Sequence, residues 1–121
     1  MAYEMFSNKA TRFAPPELTI RGGRIFLNAG AGDFFTKLGA QYVHLLWDRT
    51  AYKLAIKPVK KEDDNAFRIS IPQGKRGGTL SAESFLKYIR WTGKGPANIV
   101  AEWNEAEQLL EAVLPKIRIA L

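Results

Sequence analysis

An arginine followed by two glycines occurs twice in this chain, at Arg21-Gly22-Gly23 and at Arg76-Gly77-Gly78, the second preceded by Lys75. Glycine admits positive φ and lets another backbone come close. The adjacent guanidinium offers planar donors that fit phosphate oxygens. Two such bends on one surface would meet two phosphate tracks of a duplex. The competing reading is a tight turn beside a solvated arginine. Lys53 and Lys57 lie on one strand face, with Lys60 and Lys61 following. They either extend a basic surface or form the wet face of a half-buried strand. Tyr42, Trp47 and Tyr52 share one hairpin. Bases stack on such aromatics when they are open and interleaved with cations, and otherwise such rings pack a core.

Catalytic chemistry has little to work with. His44 is the single histidine, set among apolar strand residues, and there is no cysteine. A Cys–His pair and a multi-histidine metal site are therefore excluded. No phosphate loop ending in Gly-Lys-Ser/Thr occurs. Ala29-Gly30-Ala31-Gly32-Asp33 has too few glycines in register for a dinucleotide fingerprint. Glu62, Asp63 and Asp64 read as a solvated charge run. The expectation is a non-enzymatic protein with no cofactor and no metal.

A chain of 121 residues is the size of one ordinary domain. Hydrophobic residues make up 46% and charged residues 25%, enough for a packed core. No apolar run long enough to span a membrane occurs, and residues 1–16 lack the pattern of a signal peptide, so a cytoplasmic protein is expected. The net charge of +6 favours polyanionic partners, and residues 1–60 carry most of it, with nine Lys/Arg against four Asp/Glu.

These residues need elements to position them. Residues 1–17 read as a flexible arm, and 18–121 as a single domain. Leu18-Thr19-Ile20 and Arg24 to Leu27 read as short strands around the Gly22-Gly23 turn. Asn28 is a helix N-cap, Gly39 a helix stop. Gln41–Trp47 and Ala51–Pro58 form a hairpin. Residues 60–66 form a charged linker. A second pass follows: a strand from Phe67 to Ile71, a turn at Lys75–Gly78, a stub at Thr79-Leu80, a helix capped by Ser81 and running to about Trp91, and a hairpin from Ile99 to Leu114. Residues 105–113 have strong intrinsic helix propensity, but their place in the second pass makes them the returning strand.

The passes share landmarks in order: the two Arg-Gly-Gly bends, Leu27-Asn28-Ala29 with Leu80-Ser81-Ala82, Trp47-Asp48 with Trp103-Asn104, and Pro58 with Pro115. Two tandem β-α-β-β repeats, 18–59 and 67–115, are therefore expected. The fold class is α+β, mainly β, with the repeats closing a small pseudo-two-fold barrel or sheet core.

A short strand, a capped helix ending at Leu38-Gly39 and a hairpin ending at Lys57-Pro58 resemble the AbrB/SpoVT family. Two such units in one chain resemble its MraZ branch. The chain departs from the family pattern at Asn28-Ala29, Lys37 and Ala40-Gln41, where Pro, Arg and Gly-Asp are usual. The resemblance implies a swapped-hairpin β-barrel that holds duplex DNA, with Arg21, Arg24, Lys75 and Arg76 facing it in a transcription regulator. Lys53 and Lys57 would add to that surface. The alternatives are a single-stranded nucleic-acid binder and an antitoxin-like interaction module. In the latter, Tyr3, Met5, Phe6 and Phe13 of the arm would order on a protein partner; a homodimer is a further expectation.

Overall fold

Alternating apolar residues in eight short segments give eight strands, and these close on one another. A computed structural model describes residues 15–72, 77–93 and 95–120. The order is β1 (Glu17–Arg21), β2 (Arg24–Leu27), α1 (Ala29–Leu38), β3 (Tyr42–Asp48), β4 (Lys53–Val59), β5 (Phe67–Ser70), β6 (Gly78–Ser81), α2 (Glu83–Tyr88), β7 (Ala97–Asn104) and β8 (Leu109–Val113). All pairings are antiparallel, and the strands form a closed barrel in the order β1-β2-β6-β5-β3-β4-β8-β7. Closure leaves no unpaired sheet edge. Among the described residues, no helix is long and apolar enough to cross a membrane.

Each strand sends alternate side chains inward. Leu18 and Ile20, Ile25 and Leu27, Leu54 and Ile56 are all buried in one core. Each such residue contributes on the order of 2 kcal/mol by leaving water. Phe35 of α1 and Phe85 and Leu86 of α2 join the same core.

Two strands precede each helix, so each half reads β-β-α-β-β rather than β-α-β-β. The reason is the turn at Gly22 and Gly23, with φ of 57° and 78°, which folds β1 back onto β2. Exchanging β1–β4 with β5–β8, in order, leaves the set of paired strands unchanged. The hairpin β3–β4 pairs with β5, and the hairpin β7–β8 pairs with β1. The hairpin tips also match. The Ala51 amide donates to Asp48 Oδ1 at 3.0 Å, and the Glu107 amide donates to Asn104 Oδ1 at 3.0 Å. Tyr52 and Gln108 close the two loops, each with φ of 54°. Residues 109–113 form a strand despite their helix propensity, because β8 is held by β4 on one side and β7 on the other.

The helices differ more. Asn28 caps α1 as expected: its Oδ1 accepts from the Ala31 amide at 2.9 Å and from the Glu17 amide at 3.0 Å, which ties the helix start to β1. Ser81, by contrast, is the last residue of β6. The N-cap of α2 is Ala82, without a side-chain cap, and α2 ends at Tyr88 rather than near Trp91.

Candidate nucleic-acid interface

Arg21 and Arg24 face each other across the β1–β2 turn on the outer face of the barrel, both exposed. The Arg21 guanidinium lies 5.3 Å from the centre of the Phe26 ring. The second glycine pair does not repeat the left-handed backbone of Gly22 and Gly23. Lys75 and Arg76 lie outside the described residues. Gly77 and Gly78 take no positive φ, and Gly78 is a buried strand residue opposite Leu27. Glycine is needed there for room: a Cβ on Gly77 would sit 2.6 Å from the Leu27 carbonyl oxygen, and one on Gly78 2.9 Å from Ile71 Cγ1.

Lys53 and Lys57 do not join Arg21 and Arg24. They project outward from β4. From β2, β4 is four strands away in either direction round the barrel, through β6, β5 and β3 or through β1, β7 and β8. That is the opposite side. Lys53 is also partnered, its Nζ 3.8 Å from Glu111 Oε2. Glu102, on the outer face of β7, lies directly across from Glu111. The outer face around Lys53 is therefore of mixed charge, and the four described residues, Arg21, Arg24, Lys53 and Lys57, do not form one basic surface.

The tyrosine–tryptophan set also divides. Tyr42 and Trp47 are five residues apart on one strand and so point to opposite faces. The Tyr42 hydroxyl donates to Glu62 Oε2 at 3.3 Å on the outside. Trp47 turns inward and meets Tyr52 edge-on, with ring centroids 6.2 Å apart, and Phe85 of α2 at 6.5 Å. Its counterpart Trp103 stacks on Phe34 of α1 at 4.6 Å, a packing role.

Trp47 and Tyr52 open onto a cleft of about 260 Å³ between the β3–β4 tip and the end of α2. Arg49, Tyr88 and Arg90 complete its working wall, and no acidic residue lines it. Lys116 Nζ sits 5.0 Å above the Tyr52 ring. Ile119 and Ala120 form the far side. They are held there by the Ala120 amide donating to the Arg90 carbonyl at 2.9 Å and by the Thr92 amide donating to the Arg118 carbonyl at 2.6 Å. Cations beside open aromatic rings can hold a planar, anionic ligand, with stacking on the rings and charge-assisted bonds to the guanidinium groups.

Two residues of this wall stand in a backbone region that L side chains avoid: Tyr52 at φ 54° and Arg90 at φ 63°. Each costs about 1–2 kcal/mol relative to glycine. Arg90 follows α2 as Gly39, at φ 64°, follows α1. The next amide bonds back in the same way in both places, Ala40 to Phe35 and Trp91 to Leu86. One helix stop uses the residue the geometry favours, and the other uses an arginine that borders a cleft. Strain of this kind gathers at binding sites.

Comparison with protein-family models, with curated proteins and with solved structures finds no match.

Arg49, Tyr88, Arg90 and Lys116 are the site residues that motif reading missed. The signal was present in the two passes. Leu38-Gly39 stands at the helix stop of the first, and Ile89-Arg90 at that of the second. His44, for its part, is paired: its Nε2 donates to Asp63 Oδ2 at 2.8 Å. Asp63 also accepts from the Asn65 amide at 2.8 Å, so the charge run at 62–64 is tied to β3 rather than merely solvated. The hydrogen bond from His44, followed by that from Asn65, holds the Asp63 carboxyl below the usual aspartate range.

Proposed function

We propose that this chain is a nucleic-acid-binding domain that seats unpaired bases in the cleft between Trp47, Tyr52 and Tyr88, with Arg49 and Arg90 on the flanking phosphates. The observation that carries this reading is one cleft in which Trp47, Tyr52 and Tyr88 meet Arg49 and Arg90 with no acidic residue in its lining, Arg90 standing at positive φ where the other helix stop has Gly39. Base stacking on an aromatic side chain is worth roughly 1–3 kcal/mol per base, and guanidinium groups add the salt-sensitive part. A titration of tryptophan fluorescence with single-stranded oligonucleotides tests it. Quenching is expected at roughly 50 mM salt, weakening steeply as salt rises, and Trp47→Phe should remove most of it. Absence of both quenching and binding at that salt would refute the reading.

A second reading is a duplex-DNA binder of the AbrB/SpoVT type, built by tandem duplication of one unit. It is favoured by the exchange symmetry of the strand pairing and by hairpins that dock onto a strand of the other half. Both fit the swapped-hairpin barrel that the resemblance implies. Arg21 and Arg24 would then contact the phosphates. The same titration separates the two: duplex of equal length competes better than single strand under the second reading and worse under the first.

A further inference from the structure

We infer that the bound strand does not stop at the Trp47 cleft but crosses the C-terminal turn of α2 into a second cleft, and leaves along the Arg21-Gly22-Gly23-Arg24 turn. This inference rests on the nucleic-acid reading of the first cleft and adds the path of the strand.

The second cleft, of about 220 Å³, lies between the β1–β2 turn and α2. Arg21, Lys87 and Trp91 line it, with Gly22 and Gly23 at its lip. The two clefts share the C-terminal turn of α2. Lys87 lines the second, while the next residues in sequence, Tyr88 to Arg90, line the first. Trp91 lines the second, and its β-bridge partner Ile119 lines the first. The β1–β2 turn is fixed to the start of α2 by the Ala82 amide, which donates to the Gly23 carbonyl at 2.9 Å. Gly23 packs so close to Glu83 that a Cβ there would lie 3.4 Å from the Glu83 Cβ. Arg49 and Arg90 of the first cleft and Lys87 and Arg21 of the second, with Arg24 across the turn from Arg21, therefore lie on either side of the C-terminal turn of α2, with Trp47, Tyr88 and Trp91 among them. Alternation of cations and rings along a groove is what a flexible strand needs, because phosphates and bases repeat together. A small β domain that binds in this way takes about four nucleotides or more, too many for one cleft of this size.

One group on the path opposes it. Glu83 lines the second cleft, with its Oε1 3.4 Å from Lys87 Nζ, and both side chains are largely exposed. Its carboxylate competes with phosphate for Lys87. Removing that charge should strengthen binding of a strand long enough to reach it.

The test is a length series of labelled oligothymidylates of roughly 3, 6 and 12 nucleotides, each titrated across salt with the full chain. The longest should bind with a steeper salt dependence than the shortest. Arg21→Gln should lower the slope of log K against log salt by about 0.7 for the longest strand only, the loss of one phosphate contact. Glu83→Gln should raise affinity severalfold for the longest strand and leave the shortest unchanged. Circular dichroism and thermal melting of both variants confirm the fold; the two positions are exposed. Equal slopes at all lengths, or an Arg21→Gln effect independent of length, would overturn the two-cleft path while leaving the Trp47 cleft as the binding site. Failure of every length to bind would overturn both.

Discussion

Replacing Arg90 by glycine should make this protein more stable and a poorer binder. At φ 63° a non-glycine residue costs about 1–2 kcal/mol. Glycine removes that strain but adds freedom to the unfolded chain, roughly 0.5–1 kcal/mol in the other direction. The net gain is on the order of 0.5–1 kcal/mol. For a domain of this size that raises Tm by about 2–4 °C. The rest of the helix stop does not depend on the side chain, since the bonds from the Arg90 amide to the Lys87 carbonyl and from the Trp91 amide to the Leu86 carbonyl are backbone bonds. Binding should move the opposite way. Loss of one guanidinium from the cleft removes about one phosphate contact, lowering the salt slope for a single strand by about 0.7 and weakening affinity roughly tenfold at low salt. Differential scanning calorimetry and fluorescence titration on the same preparation read both. Arg90→Lys separates charge from strain: its Tm should stay at the wild-type value, with binding largely retained. A lower Tm for Arg90→Gly would show that the side chain supports the fold. Unchanged binding would show that its place on the cleft wall has no consequence for nucleic acid.

Other substitutions probe the remaining structure. Gly77→Ala drives a Cβ to 2.6 Å from the Leu27 carbonyl oxygen and should destabilise by about 1–3 kcal/mol in urea unfolding. Asn28→Ala removes the α1 cap and the acceptor for the Glu17 amide, and should cost about 1–2 kcal/mol in the same assay. Lys53→Ala, outside the lining of the cleft and already beside Glu111, should leave oligonucleotide affinity within about twofold. Asp63 has a folded-state pKa below its unfolded value of about 3.9, so its bonds to His44 and Asn65 stabilise the fold above that pH and fail as pH drops through the folded value. Melting curves of wild type and Asp63→Asn should accordingly differ at neutral pH and converge as pH falls through the folded-state value.

The elements were legible because their signals were local. Alternation placed β4, an Asx residue placed the start of α1, and a left-handed glycine placed its end. The strand at 109–113 was legible only through its likeness to the one at 53–59, because pairing with β4 on one side and β7 on the other overrides the helix propensity of its own residues. Two things could not be read from adjacency in sequence. Glycine pairs look alike whether they serve positive φ, as Gly22 and Gly23 do, or close packing, as Gly77 and Gly78 do. Charge on a strand says nothing about which side of a closed barrel it reaches, and so Lys53 and Arg24 were grouped although β4 and β2 stand opposite each other.

Where the halves agree, they build the barrel, and where they differ, rings and cations gather. Asp48 and Asn104 cap equivalent hairpin tips, and Trp47 and Trp103 occupy equivalent strand positions opposite Leu54 and Leu110. Trp103 is stacked on Phe34, whereas no ring stacks flat on Trp47 among the described residues, and it borders an opening. The loop that closes with Gln108 in one half closes with Tyr52 in the other. The helix stop that uses Gly39 in one half uses Arg90 in the other. Packing alone would favour the same residue at both members of each pair, since the backbone demands are the same. Both residue differences border a single cleft, and in each the residue on the cleft side brings a ring or a cation. A framework used twice but furnished once is what a protein with one binding site needs. On that logic, the equivalent hollow beside Leu38, Gly39 and Gln108, which presents mainly apolar groups, should bind no oligonucleotide. Gln108→Ala should then leave binding unchanged, whereas Tyr52→Ala should weaken it by roughly 1–3 kcal/mol.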